Sequence, residues 1–183
     1  MLRFTLLTLA LALPAFADAP AVKGTWKSAA AEDMGNGSFC SREFKLTDTT
    51  WALTFTIYAD KELKTPLVAM GFEGPWRATG ESKQVPGASE ASFDFKKKTV
   101  TLLAKDAAKG FGMDGCGLTL GKAKDVSKDG CSFVASVEKY GREFDLLKRD
   151  GERLFFGARP ADGDMGSEAK RPTALGAPLV QKK

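Results

Sequence analysis

Thr49-Thr50-Trp51-Ala52-Leu53-Thr54-Phe55-Thr56-Ile57-Tyr58 alternates along its whole length. Trp51, Leu53, Phe55 and Ile57 take every second position, and Thr50, Thr54 and Thr56 take most of the places between them. Successive side chains of a strand point to opposite faces. The spacing therefore predicts one strand with an apolar inner face and an outer face of hydroxyls, Thr54 and Thr56, turned to water. Such a strand needs neighbours to cover it. Phe39 to Leu46 alternates just upstream, and Thr47-Asp48-Thr49 turns the chain between the two runs, which reads as a hairpin.

Working outward, Gly24-Thr25-Trp26 opens the domain, and Ala29–Met34 is short enough for one turn of helix. Pro66 starts a long run through Leu67–Glu73 and Gly74-Pro75 to Thr79. A Gly-Pro inside a strand pattern predicts a bulge or bend, as a curving sheet requires. Ala91 to Phe95 alternates with Phe93 and Phe95 on one face, Lys96–Lys98 reads as a solvated hairpin turn, and Thr99 to Ala104 as the return strand. The glycine-dense stretch from Lys105 to Lys128 reads as a long mobile connection. Further strands follow at Cys131–Val137, Glu143–Leu147 and Leu154–Gly157, separated by Gly, Asp and Lys turns. Eight to ten short strands with little helix predict an all-β fold, an antiparallel β-barrel or half-barrel. The expected organisation is residues 18–160 as the barrel and 161–183 as an irregular C-terminal tail lying along it.

The first residues carry a different pattern. Arg3 precedes an apolar run from Phe4 to Leu13, and Pro14-Ala15-Phe16-Ala17 ends in an A-x-A site. This reads as a signal peptide over residues 1–17, cut after Ala17. The run is shorter than the ~20 residues a membrane span needs. The expected location is therefore exported, periplasmic or secreted, with no transmembrane anchor after cleavage. Losing Arg3 lowers the net charge from +4 to +3. That weak, scattered excess predicts no nucleic-acid partner.

Export permits disulfides. Cys116 and Cys131 flank a polar connection and form one plausible pair, leaving Cys40 as a buried thiol or an intermolecular partner; Cys40–Cys116 and Cys40–Cys131 compete with it.

The chain has no histidine. That excludes Ser-His-Asp and Cys-His nucleophile systems and His-ligated metals. No phosphate-cradling or nucleophile-elbow motif falls in a fitting strand–helix context. Asp162-Gly163-Asp164 with Glu168 does not match the spacing of a calcium loop, and a solvated loop is the plainer reading. No cofactor, metal or catalytic residue is expected. The aromatic residues are more informative. They either fill the core or line a cavity for an apolar ligand, and periodicity does not separate the two. Trp51, Leu53, Phe55, Phe93, Phe95, Phe133 and Phe156 are the candidate ligand-binding residues. The competing reading is a structural or protein-interaction module with a fully packed interior.

Several short motifs occur in order along the chain: Gly24-Thr25-Trp26, Phe44, Tyr58 with Asp60, Val85-Pro86-Gly87-Ala88-Ser89-Glu90 before Phe93, Leu154-Phe155-Phe156-Gly157 with Arg159-Pro160, and Lys170-Arg171-Pro172-Thr173. Together they resemble a domain of the adenomatosis polyposis coli down-regulated family. Members in animals are secreted or membrane-tethered antagonists of Wnt signalling, and single-domain relatives occur in bacteria. The resemblance implies a lipocalin-like β domain that binds a lipid or acyl group. This chain carries one copy of the domain rather than two, lacks a membrane anchor and has fewer cysteines, so Wnt antagonism is not carried over. The expectation is an exported, non-enzymatic protein that binds a small hydrophobic ligand such as a fatty acyl group.

Overall fold

The computed structural model describes residues 21–182. The expected signal peptide lies outside that range. Among the described residues eleven strands form, in chain order: β1 Gly24–Ser28, β2 Glu32–Asp33, β3 Phe39–Leu46, β4 Thr50–Tyr58, β5 Pro66–Glu81, β6 Ser89–Asp94, β7 Lys97–Leu102, β8 Ala123–Asp125, β9 Arg142–Asp150, β10 Arg153–Phe156 and β11 Leu179–Gln181. Every pairing between them is antiparallel. Eight of them close a barrel in the order β1, β3, β4, β5, β6, β9, β10, β11 and back to β1. Closure leaves no edge among those eight. β2 adds to the end of β3, and β7 with β8 branches from β5.

The hairpin of β3 and β4 forms as the alternation predicts, with Phe44 opposite Leu53 and Leu46 opposite Trp51. Elsewhere long-range pairing overrides the local reading. β6 and β7 are not a hairpin. Both lie along the same side of β5, β6 against Trp76–Glu81 and β7 against Val68–Glu73. β5 itself runs through Gly74-Pro75, and the break falls in its partner, at Phe95 and Lys96. A Cβ on Gly74 would stand 2.0 Å from the Asp94 carbonyl oxygen, so only glycine allows the two backbones to approach there. Lys98 is consequently not in a solvated turn; it is a strand residue, 2 % exposed.

Three further expectations change. Ala29–Met34 holds no helix, and Glu32–Asp33 bridges to β3 instead. Cys131–Val137 is a tight turn closed by a Cys131–Val134 bridge, not a strand. The segment expected as an irregular tail contains β11, which joins β1 to β10 and so completes the ring.

The stretch between β7 and β9 is a second layer rather than a featureless connection. It holds a helical turn at Ala107–Gly110, a 3₁₀ turn at Asp114–Cys116 and β8. The Cys116–Cys131 disulfide staples it, with Cα atoms 5.6 Å apart, and Cys40 is a buried free thiol. Burial of that thiol, with Glu32 adding to the effect, pushes its pKa up to about 11, so it stays protonated and unreactive at neutral pH.

Apolar side chains gather in two cores. The first lies among the barrel strands and includes Trp26, Leu46, Trp51, Trp76, Phe93, Leu147, Leu154 and Leu179. The second packs Ile57, Val68, Met70, Val100 and Leu102 against Met113, Val126, Cys131 and Val134 of the added layer. Each tryptophan indole N–H finds a carbonyl: Trp26 that of Val22, Trp51 that of Asp94 and Trp76 that of Thr47, at 2.7, 3.0 and 3.0 Å.

Candidate ligand cavity

β4 crosses from one core to the other. Trp51 belongs to the first and Ile57 to the second, and they are 4 % and 1 % exposed. Leu53 and Phe55 share their face but are only partly buried. The reason is a hollow between the cores. It has two adjoining lobes of about 340 and 470 Å³, which share Trp51, Leu53, Phe55, Glu143 and Arg159 as lining. The outer face behaves differently: Thr50 and Thr54 are exposed and Thr56 is half-buried.

All seven candidate aromatic and aliphatic residues line this hollow. Phe93 and Phe156 border the smaller lobe, Phe95 and Phe133 the larger, and Trp51, Leu53 and Phe55 both. The rings of Trp51, Phe93, Phe95 and Phe156 form one connected set. Trp51 meets Phe93 and Phe95 edge-on at 5.3 and 5.2 Å, and Phe156 stacks on Phe44 at 4.1 Å. Phe133 arrives by another route than strand alternation. It sits in the stapled turn, 57 % exposed, beside Phe111 at the rim.

The polar lining is what sequence reasoning passed over. Glu143 and Asp145 of β9 share the inward face with Leu147; they are 9 % and 7 % exposed. Glu143 accepts a 2.7 Å hydrogen bond from Arg159, whose other nitrogen donates to the Gly163 carbonyl. Asp145 Oδ1 accepts from the N–H groups of Leu146 and Gly157 at 2.7 and 2.8 Å. Burial pushes its pKa up to about 7, with the nearby Glu143 charge adding to the effect against the two N–H bonds. The legible signal was two acids spaced by two on the face where Leu147 points inward.

Lys98 lines the larger lobe. Its Nζ donates to the carbonyls of Ala135 and Tyr140 at 2.9 and 2.7 Å and stands 4.5 Å from the Phe95 ring centre. Desolvation lowers its pKa, and the Glu143 charge opposes that. These bonds tie the stapled layer to β7.

The chain after β10 covers the barrel's side. Tyr140 Oη accepts from the Met165 N–H, and Arg171 donates to the carbonyls of Ala91 and Asp145, holding β6 and β9 together from outside. In the loop beyond Arg159, Asp162 and Asp164 both pair with Lys170, so their oxygens are engaged by a cation of the chain itself. Among the described residues no group of three or more potential metal ligands occurs, and no helix is long and apolar enough to cross a membrane.

A family model described as adenomatosis polyposis coli down-regulated 1 matches residues 12–114, more than half of the chain. No curated protein matches it.

Proposed function

The chain belongs to the adenomatosis polyposis coli down-regulated family, and on that premise we propose that it is an exported, non-enzymatic binding protein whose barrel holds a hydrophobic ligand such as a lipid or fatty acyl group. One observation carries the reading. The inner face of β4 borders the hollow along its length, and its middle residues Leu53 and Phe55 are left only partly buried between the buried Trp51 and Ile57. A barrel evolved only for stability fills its middle, because each unfilled methyl-sized space costs ~1 kcal/mol. This one instead lines its middle with aromatic side chains around a volume suited to a small ligand.

Binding is favoured over catalysis because the cations around the hollow are committed to the fold. Lys98 is held by main-chain carbonyls and Arg159 by Glu143 and the Gly163 carbonyl. The apolar run before Ala17 and the Cys116–Cys131 disulfide support export.

Native mass spectrometry of the protein purified from its own host tests the reading, together with binding of the uncharged apolar dye N-phenyl-1-naphthylamine and its displacement by lipids extracted from that host. A copurifying apolar adduct and saturable displacement are expected. A ligand-free spectrum with no displacement overturns the reading.

A further inference from the structure

The head-group chemistry of the occupant follows from a mismatch in the smaller lobe. Its cations already hold acceptors. Arg159 Nη2 donates to Glu143 at 2.7 Å and Nη1 to Gly163 O at 2.7 Å. Arg42 Nε donates to Glu32 at 2.8 Å and Nη2 to Ala177 O at 3.1 Å. Asp145 is the exception. Both hydrogen bonds to its carboxyl end on Oδ1, and among the described residues no donor reaches Oδ2. The side chain is nevertheless 7 % exposed and forms part of the lobe's wall, along with Phe44, Phe93 and Phe156. Its position is fixed: a Cβ at Gly157 would stand 2.5 Å from Oδ1, so glycine there leaves the room that the carboxyl occupies. Arg171 does not neutralise it, because that guanidinium is spent on the Asp145 main-chain carbonyl, the Ala91 carbonyl and Glu90.

Oδ2 is open to the lobe and so to solvent, but an occupant that shuts water out there leaves a carboxyl oxygen without a donor, which is costly unless the occupant supplies one. We propose that the ligand supplies it: the smaller lobe takes an apolar chain whose head is a hydrogen-bond donor, a hydroxyl or an amine, bound at Asp145 Oδ2, and it discriminates against a free fatty carboxylate. A carboxylate head would place two like charges together in a dry site, beside Glu143, with both neighbouring guanidinium groups already paired. The inference rests on the hollow being a ligand site and adds the head group that the site selects.

Displacement of N-phenyl-1-naphthylamine from the full mature chain by dodecanol, dodecylamine and laurate, at about pH 8.5 where the Asp145 carboxyl is ionised, tests it. The alcohol or the amine is expected to displace the dye at roughly tenfold lower concentration than laurate, since a hydrogen bond to a charged group is at stake. The amine arm alone winning assigns an ammonium head, and both winning assigns a donor of either charge. Asp145→Asn keeps an oxygen for the Leu146 and Gly157 N–H groups but offers an amide donor to the lobe, so the preference over laurate is expected to collapse. Laurate binding wild type as tightly as the other two overturns the proposal, whether or not the variant folds. An unchanged preference in a folded variant does so too. If the dye itself fails to bind wild type, the ligand-site reading falls and this inference with it; if it binds and laurate wins, only the inference falls.

Discussion

Asp145 occupies an inward strand position that alternation would give to an apolar side chain, and its titration should be visible in stability. Its folded pKa is about 7 against 3.8 for the ordinary group. The folded state therefore binds this proton more tightly than the unfolded one. The contribution is fully present below about pH 4 and is lost as pH rises through 7. Each tenfold in proton affinity is ~1.4 kcal/mol, so the loss is on the order of 4 kcal/mol. Asp145→Asn, which does not titrate, should lack it. Urea unfolding of both proteins at several values between about pH 4.5 and 8 checks this: the wild type should lose ground to the variant as pH rises. Parallel curves would contradict the burial argument. Lys98 shows why such residues escape a reading of the sequence. Within Lys96-Lys97-Lys98 nothing separates the third lysine from a solvated one. Its burial is set by the carbonyls of Ala135 and Tyr140, 37 and 42 residues away.

β4 makes the corresponding prediction for an element. Trp51 touches Phe93 and Phe95 and donates its N–H to Asp94 O, so Trp51→Ala removes a ring from a packed core and should cost ~3–5 kcal/mol. Leu53→Ala and Phe55→Ala remove side chains that already border open space, and each should cost under about 2 kcal/mol while weakening dye binding more than Trp51→Ala does per unit of stability lost. Denaturant midpoints and dye titrations on the three variants check it. Equal losses in all three variants would mean the middle is packed. The inner face of β4 was legible because alternation is local. Which of its residues are packed was not, since that depends on what stands across the barrel. The same limit explains β6 and β7. A lysine run between two apolar runs has the local form of a hairpin, but the 16-residue β5 is long enough to pair both on one side. It explains β11 as well: Leu179–Gln181 has too few residues to show a period, and it becomes a strand only because β1 and β10 leave a gap of one strand between them.

At the scale of the molecule, the hollow exists because two cores are held apart. The barrel core is closed by its own strands, whereas the second core depends on the layer between β7 and β9, whose internal staple is the Cys116–Cys131 bridge. Cross-linking across a separation of 15 residues is worth roughly 3 kcal/mol in the chain-entropy model. That loss should fall unevenly when both cysteines are replaced by serine. Met113, Val126 and Val134 would lose the constraint that presses them onto Val68 and Val100, while Trp26, Leu147 and Leu154 keep every neighbour they have. Amide hydrogen exchange resolves the two regions: protection should drop across residues 107–134 and persist in β1, β9 and β10. Because Phe133 and Val134 line the larger lobe, dye binding should weaken in the same variant even at temperatures where the barrel remains fully folded. Uniform loss of protection would show instead that the two cores unfold as one unit, and that the layer is part of the barrel's own stability rather than a wall added beside the hollow.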